Sequence, residues 1–437
     1  MKPQIGNTRW GIAVLLGSGI IINYFDRVNL SVATTSLMHE FHFTQADIGL
    51  LLSSYLWSYT LLQIPIGTLL DKIGIKWMMR IGTIIWSLAS FMTALVSGFG
   101  LVILSRILLG IGEAPAFPGA AKATGYWFPI KERGLATSSF DAAAKFSSAL
   151  GLPIVALVVA THGWRAGFWL TGALSLIYAA VFWLSYRDPG EAKRLSEAER
   201  NYIVEGGAQQ EGTLTAKPIT NLGFLLRQRK IWGLTLGFTA YNYAFNLFLV
   251  WLPGYLQTQL HASILKSGLY LVIPWLVATA TDVLIGGILV DRLISRGYNP
   301  TKVRQVLLVI GMLLGVTAIG AAFTSNVNIA ITWLTLSLAG LAFAAPIAWS
   351  IPSLIAPTGS VATVGGIMNF LGNLAGVVAP IVAGVVADRA GFAPNFLITG
   401  AILILGILSF LFLLGKIEQI AAPPTGESAV RAVSPTT

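Results

Sequence analysis

Eight charged side chains stand inside otherwise apolar stretches of this 437-residue chain: Asp26, Arg27, Arg106, Glu113, Lys122, Asp141, Lys145 and Asp282. A charge at the centre of a membrane helix costs at least ~2.5–3.5 kcal/mol on insertion scales, so such residues face a water-filled cavity or a partner and mark an ion or solute path. Arg27 stays protonated, and its planar fork matches a carboxylate with two parallel hydrogen bonds. It is the first choice for an anionic ligand; the competing reading is a structural ion pair between helices, and both can hold in alternating states. Asp26 and Arg27 are neighbours, about 100° apart on a helix, so each meets a different partner. Arg106 and Glu113 are seven apart, on nearly one face and ~10 Å apart along the axis. The expected pairs are Asp26 with Arg106 and Glu113 with Arg27.

Such pairs can couple an anion to a proton. Burial favours the protonated carboxyl, and a nearby guanidinium favours the charged form. An anion that takes over Arg27 deprives Glu113 of its counter-charge and so favours protonation, which makes the two ligands cooperative. Glu113 is the expected main proton carrier, with Asp26 as partner. Asp141 and Lys145 form an i,i+4 pair on the fifth apolar run. The plain reading is mutual neutralisation; the functional readings make Lys145 a second anion contact or a coupling charge. Asp282 could answer Lys145 or another cation across a cavity. Lys122 reads as snorkelling to an interface. Pro115 and Pro118, with Gly110 and Gly112, read as a gating kink beside Glu113 or as ordinary small-residue packing. Tyr24, Tyr59, Gln63, Tyr241, Asn242, Trp349, Ser350, Asn369 and Asn373 are candidates for hydroxyl recognition.

The elements that hold these residues are apolar helices. The chain is 55% hydrophobic and only 11% charged, where a soluble domain has ~25% charged residues. Twelve runs suit a hydrocarbon core ~30 Å thick. They lie near 10–34, 46–71, 77–96, 98–122, 132–160, 165–186, 228–257, 265–295, 301–324, 327–355, 360–388 and 392–415. The first reads as a retained helix rather than a cleaved leader. Of 28 Lys and Arg, 21 fall in loops on the side of the N-terminus, three (Arg165, Lys266, Arg389) in the opposite loops, and four inside helices. The positive-inside rule therefore makes both termini cytoplasmic. The net charge of +10 reflects this topology and anionic lipid, not nucleic acid. With no cysteine, no helical histidine, no metal motif and no phosphate-binding glycine loop, an enzyme is the wrong class. No cofactor is expected.

The loop from Tyr186 to Arg229 divides the runs six and six. GTLLDKIG (67–74) echoes GILVDRLISRG (287–297), and PIVALVVA (153–160) echoes PIVAGVVA (380–387), at offsets of 220 and 227. The second echo sets Asp141 and Lys145 within a residue of Asn369 and Asn373. Parallel repeats place a site between them near the midplane. The expected fold class is an all-α membrane protein of twelve transmembrane helices in two pseudo-symmetric halves. Its divisions are an N-terminal bundle (1–186), a cytoplasmic linker (187–227), a C-terminal bundle (228–415) and a cytoplasmic tail (416–437).

GTLLDKIGIK (67–76) resembles the loop 2–3 signature of the major facilitator superfamily. YFDRVNLS (24–31), RILLGIGEAPAFPGA (106–120) and GGIMNFLGNLAGVVAPIVAG (365–384) resemble its anion:cation symporter family, over about residues 10–415. The resemblance implies a proton-coupled importer of sugar acids such as galactonate, glucarate and hexuronates, or of other organic acids. It implies ligand contacts at Tyr24, Tyr59, Trp349, Ser350, Asn369 and Asn373. It makes Asp71 and Lys72, echoed by Asp291 and Arg292, a conformational latch. Lys145 and Asp282 depart from the family pattern. The expected partners are a small organic anion, protons and the lipid bilayer, for a monomer in the inner membrane. The rivals are an aromatic or dicarboxylic substrate, sodium as coupling ion, and a membrane sensor that binds without transporting.

Overall fold

The computed structural model describes residues 6–208, 222–357 and 360–421. Inside helices, some side chains lie outside the described residues, among them those of Asp71 and Asp141. Among the described residues there is no strand. The long helices are α1 (Thr8–Val32), α2 (Gln45–Ile73), α3 (Ile75–Leu95), α4 (Phe99–Trp127), α5 (Ile130–His162), α6 (Trp164–Ser185), α7 (Arg229–Thr258), α8 (Ile264–Ser295), α9 (Pro300–Phe323), α10 (Val327–Ile355), α11 (Val361–Ala390) and α12 (Ala393–Leu414). Ten of the helices among the described residues are long and apolar enough to cross a membrane. The remaining two, α2 and α7, have 29 and 30 residues, each ~45 Å of helix. Most ends fall within two residues of the apolar runs. The fourth is the exception, since α4 continues to Trp127 and leaves Lys122 inside the helix. Its ammonium group donates to the carbonyl of Leu70 at 2.9 Å and stands 5.8 Å from the Tyr126 ring. Lys122 thus caps a helix end, where snorkelling was expected.

Successive helices run in alternate directions, so one face carries the start of α1 and the end of α12; the other is called the opposite face below. On the terminal face the expected linker contains a helix, Glu197–Glu205. Glu199 accepts the amides of Thr8 and Arg9 at 3.2 and 3.1 Å. Arg9 also bonds Glu132 at 2.8 Å. The Glu199 carboxylate thus satisfies free N–H groups at the start of α1, where negative charge is favoured.

At the opposite face, α1–α6 and α7–α12 close on each other. Ser31 donates to Val250 O at 2.5 Å, and Gln257 donates to Val32 O at 3.3 Å. Asp388 of α11 accepts the amides of Gln45 and Ala46 at 2.8 and 2.7 Å, so it caps α2 from across the seam. Glycine permits the approach. A Cβ at Gly49 would overlap Pro380 O, one at Gly384 would overlap Gln45 O, and one at Gly268 would press on Ala156. Small residues at such crossings let helix backbones meet closely.

Candidate functional site

The centre of the site is Arg27 on α1. Its Nε donates to Glu113 Oε2 at 3.0 Å, with both side chains buried. Its guanidinium is ringed by Tyr24, Tyr55 and Tyr59, at 4.8, 5.2 and 5.0 Å from the ring centroids. Aromatic faces stabilise a cation in a desolvated place, so the cage holds Arg27 charged without consuming its hydrogen-bond donors. Arg27 Nη2 and Glu113 Oε1 have no hydrogen-bond partner in the protein. A bare guanidinium N–H edge beside a carboxylate can receive an anion and a proton.

The break beside Glu113 follows from proline. The first segment of α4 ends at Glu113, and the second starts at Ala116. Pro115 lacks an N–H and Pro118 follows, so the regular ladder cannot continue there. The close packing reading of the glycines also applies: a Cβ at Gly110 would collide with Tyr55 O, and one at Gly112 with the backbone of Trp86.

The second expected pair differs. Arg106 Nη1 reaches the backbone carbonyl of Asp26, at 3.4 Å, not its carboxylate. The carboxylate accepts instead from Ser90 at 2.5 Å and Ser175 at 2.9 Å. The two hydroxyls donate directly to the carboxylate, while the buried Arg106 guanidinium takes the backbone carbonyl beside it. Tyr55, absent from the expected set, stands between Arg27 and Arg106, whose guanidinium is 5.4 Å from its ring. Its place one turn from Tyr59 was the available signal.

Lys145 and Asp282 meet at 2.5 Å, with side chains 5% and 6% exposed. Among the described residues this is the ion pair that joins α1–α6 to α7–α12; the others stay within one set or bind the linker or tail. Asp282 also opens a π-helical stretch, Asp282–Leu289, that interrupts α8. Asp141, the expected neighbour of Lys145, lies outside the described side chains.

The remaining expected residues sit nearer the terminal face. Trp349 is 45% exposed and packs edge-on to Phe238 at 5.4 Å. Ser350, the next residue, donates to Ile347 O at 2.7 Å and accepts from Arg304 Nε at 3.3 Å. Arg304 was not among the expected residues. On α11, Asn369 and Asn373 are partly buried, and Asn373 Nδ2 lacks a protein partner. Lys72, Asp291 and Arg292 are exposed on the terminal face; Asp71, the centre of the expected latch, has no described side chain.

A sequence profile described as Major Facilitator Superfamily matches residues 16–380. The chain is 41% identical over 417 residues to "Uncharacterized transporter YybO" of Bacillus subtilis (strain 168), covering 95% of this chain and 96% of that protein. It is 32% identical over 425 residues to "D-galactonate transporter" of Escherichia coli O6:H1, covering 96% and 98%. Among solved structures, a bacterial homolog of the human lysosomal transporter Spinster, described as inward-facing and occupied, superposes with a TM-score of 0.75. It is 17% identical and covers 94% of this chain and 97% of that one, which establishes likeness of fold.

Proposed function

Because the chain belongs to the Major Facilitator Superfamily, with relatives consistent with its anion:cation symporter family, we propose that it imports a sugar acid with protons by alternating access. It is a multi-pass membrane transporter and not an enzyme. The observation that carries the proposal is the buried Arg27–Glu113 pair with a free donor on one partner and a free acceptor on the other. The substrate carboxylate docks on Arg27 Nη2 within the tyrosine cage, and Glu113 takes the proton as its counter-charge is shared. Amides such as Asn373 meet substrate hydroxyls; Tyr24, Tyr59, Asn369, Trp349 and Ser350 line the way. Lys145, the residue suited to a second carboxylate, is already held by Asp282. This supports an acid with one carboxylate, of aldonate or hexuronate type, over a dicarboxylate.

All twelve long helices span the inner membrane of a monomer in this reading, six on each side of the 187–227 linker, with both termini cytoplasmic. The sealed opposite face is then the outer one, and the site opens inward. Asp71, Lys72, Asp291 and Arg292 are the latch of the alternate state, and Asp26 with Arg106 supports coupling.

Two expected results follow. Glu113→Gln retains substrate exchange in counterflow and loses accumulation driven by a pH gradient. Full proton-driven accumulation in this variant would remove Glu113 from the coupling role. Gly384→Val cannot close the seam against Gln45 O, so it favours the outward-open state. Cysteines placed at the opposite ends of α2 and α11 in that variant should react with an impermeant thiol reagent several-fold faster than in the parent. Equal rates would contradict the assignment of this seam as a moving gate.

A further inference from the structure

Helices α1, α3 and α6 meet in two polar layers beside the site. In the first, Asp26 accepts from Ser90 and Ser175. Helical register sets Asn23, Trp86 and Tyr178 about one turn further toward the terminal face, on the same three helices as Asp26, Ser90 and Ser175. The register of α1 on α6 is fixed at three points: Asn29 bonds Thr171, Asp26 accepts from Ser175, and Gly19 lies against the Tyr178 hydroxyl. Asn23 falls between the last two. The Trp86 and Tyr178 rings are stacked, with centroids 5.9 Å apart and planes within 2°.

This second layer is fully enclosed: the three residues are 0%, 1% and 3% exposed. Yet Asn23 Oδ1, Asn23 Nδ2, Trp86 Nε1 and Tyr178 Oη all lack a hydrogen-bond partner in the protein. Buried polar atoms are nearly always paired, with protein or with ordered water. Four orphans in one layer between three helices therefore point to a ligand. Their chemistry selects it. The indole N–H and the amide NH2 are obligate donors, the amide oxygen is an acceptor, and the phenol is both. A metal cation is repelled by N–H groups, and an anion by the amide oxygen and the nearby Asp26 carboxylate. Water donates and accepts, and buried water typically makes two to four hydrogen bonds.

We infer that Asn23, Trp86 and Tyr178 enclose a buried water site, one helical turn from Asp26, that serves as the carboxylate's hydrated neighbour. The functional part of this inference rests on the coupling role proposed for Asp26; the site itself does not.

Radiolytic hydroxyl-radical labelling of the purified full chain tests it, because radicals formed from bound water modify adjacent side chains that bulk solvent does not reach. The internal control is Trp251, equally buried but with its Nε1 bonded to Pro380 O at 3.1 Å. Trp86 and Tyr178 are expected to be labelled several-fold faster than Trp251. Asn23→Leu, close to isosteric, and the milder Tyr178→Phe should each bring Trp86 labelling down toward the control. Labelling of Trp86 and Tyr178 no faster than Trp251 in the parent protein would overturn the proposal. So would labelling that persists unchanged in both variants. Neither substrate nor gradient is needed, so this result is independent of whether the chain carries a sugar acid.

Discussion

Arg27→Ala is expected to abolish anion uptake, with binding weakened by roughly 30-fold to several-thousand-fold, since truncating one partner of a buried charged hydrogen bond costs ~2–5 kcal/mol. The substitution removes the free Nη2 donor and empties the tyrosine cage. It also removes the hydrogen-bonded cationic partner of Glu113, which is fully buried, and breaking a buried pair in this way destabilises by up to about 3–5 kcal/mol. The two effects separate in the double variant Arg27→Ala/Glu113→Gln. There the buried charge is gone, so thermal stability in detergent should return most of the way to the parent's. Uptake and ligand binding should stay lost. Arg27→Lys keeps the charge but not the fork, and should bind the anion weakly while folding well. If the double variant regained substrate binding, Arg27 would be a structural partner of Glu113 and nothing more.

The second large effect concerns Lys145 and Asp282. Lys145→Ala removes the ammonium group that meets buried Asp282, and Asp282→Ala removes the carboxylate that meets buried Lys145, so each single change should lower stability, by up to about 3–5 kcal/mol, and depress transport. The double variant Lys145→Ala/Asp282→Ala removes both charges and should recover stability and most of the uptake, because pairs of this kind are often replaceable by apolar groups. Recovered stability without recovered uptake would instead make Lys145 a substrate or coupling residue. Melting curves and uptake rates on the four proteins of the cycle read both quantities, and the coupling energy comes from their non-additivity.

Much of the helix layout is legible in the sequence because a membrane helix needs ~20 apolar residues in a row, and loops announce themselves by charge. The end of α4 is less so: Ala123 to Trp127 continue a helix that carries Lys122, and the Leu70 carbonyl and the Tyr126 ring that receive its ammonium group are visible only in the fold. The Arg27–Glu113 contact can be reasoned from charge types and helical spacing. Asp26 shows the limit of that reasoning. Its carboxylate is held by two serines 64 and 149 residues away, and serines in apolar helices carry no visible signal, since most bond a carbonyl in their own helix, as Ser54 and Ser87 do. Tyr55 is a nearer miss, recoverable from its i,i+4 relation to Tyr59. Asn23, Trp86 and Tyr178 are ordinary membrane-helix residues in sequence, and only the three-helix junction makes them a group.

The most direct single measurement is uptake into proteoliposomes under an imposed inward proton gradient. The substrates are galactonate, glucuronate, glucarate, tartrate and 4-hydroxyphenylacetate, with Arg27→Ala as control. Gradient-dependent accumulation of galactonate or glucuronate, absent in Arg27→Ala and collapsed by a protonophore, is the predicted result. Accumulation that persists without a proton gradient, or that proceeds equally in Arg27→Ala, would contradict a proton symporter built on this site.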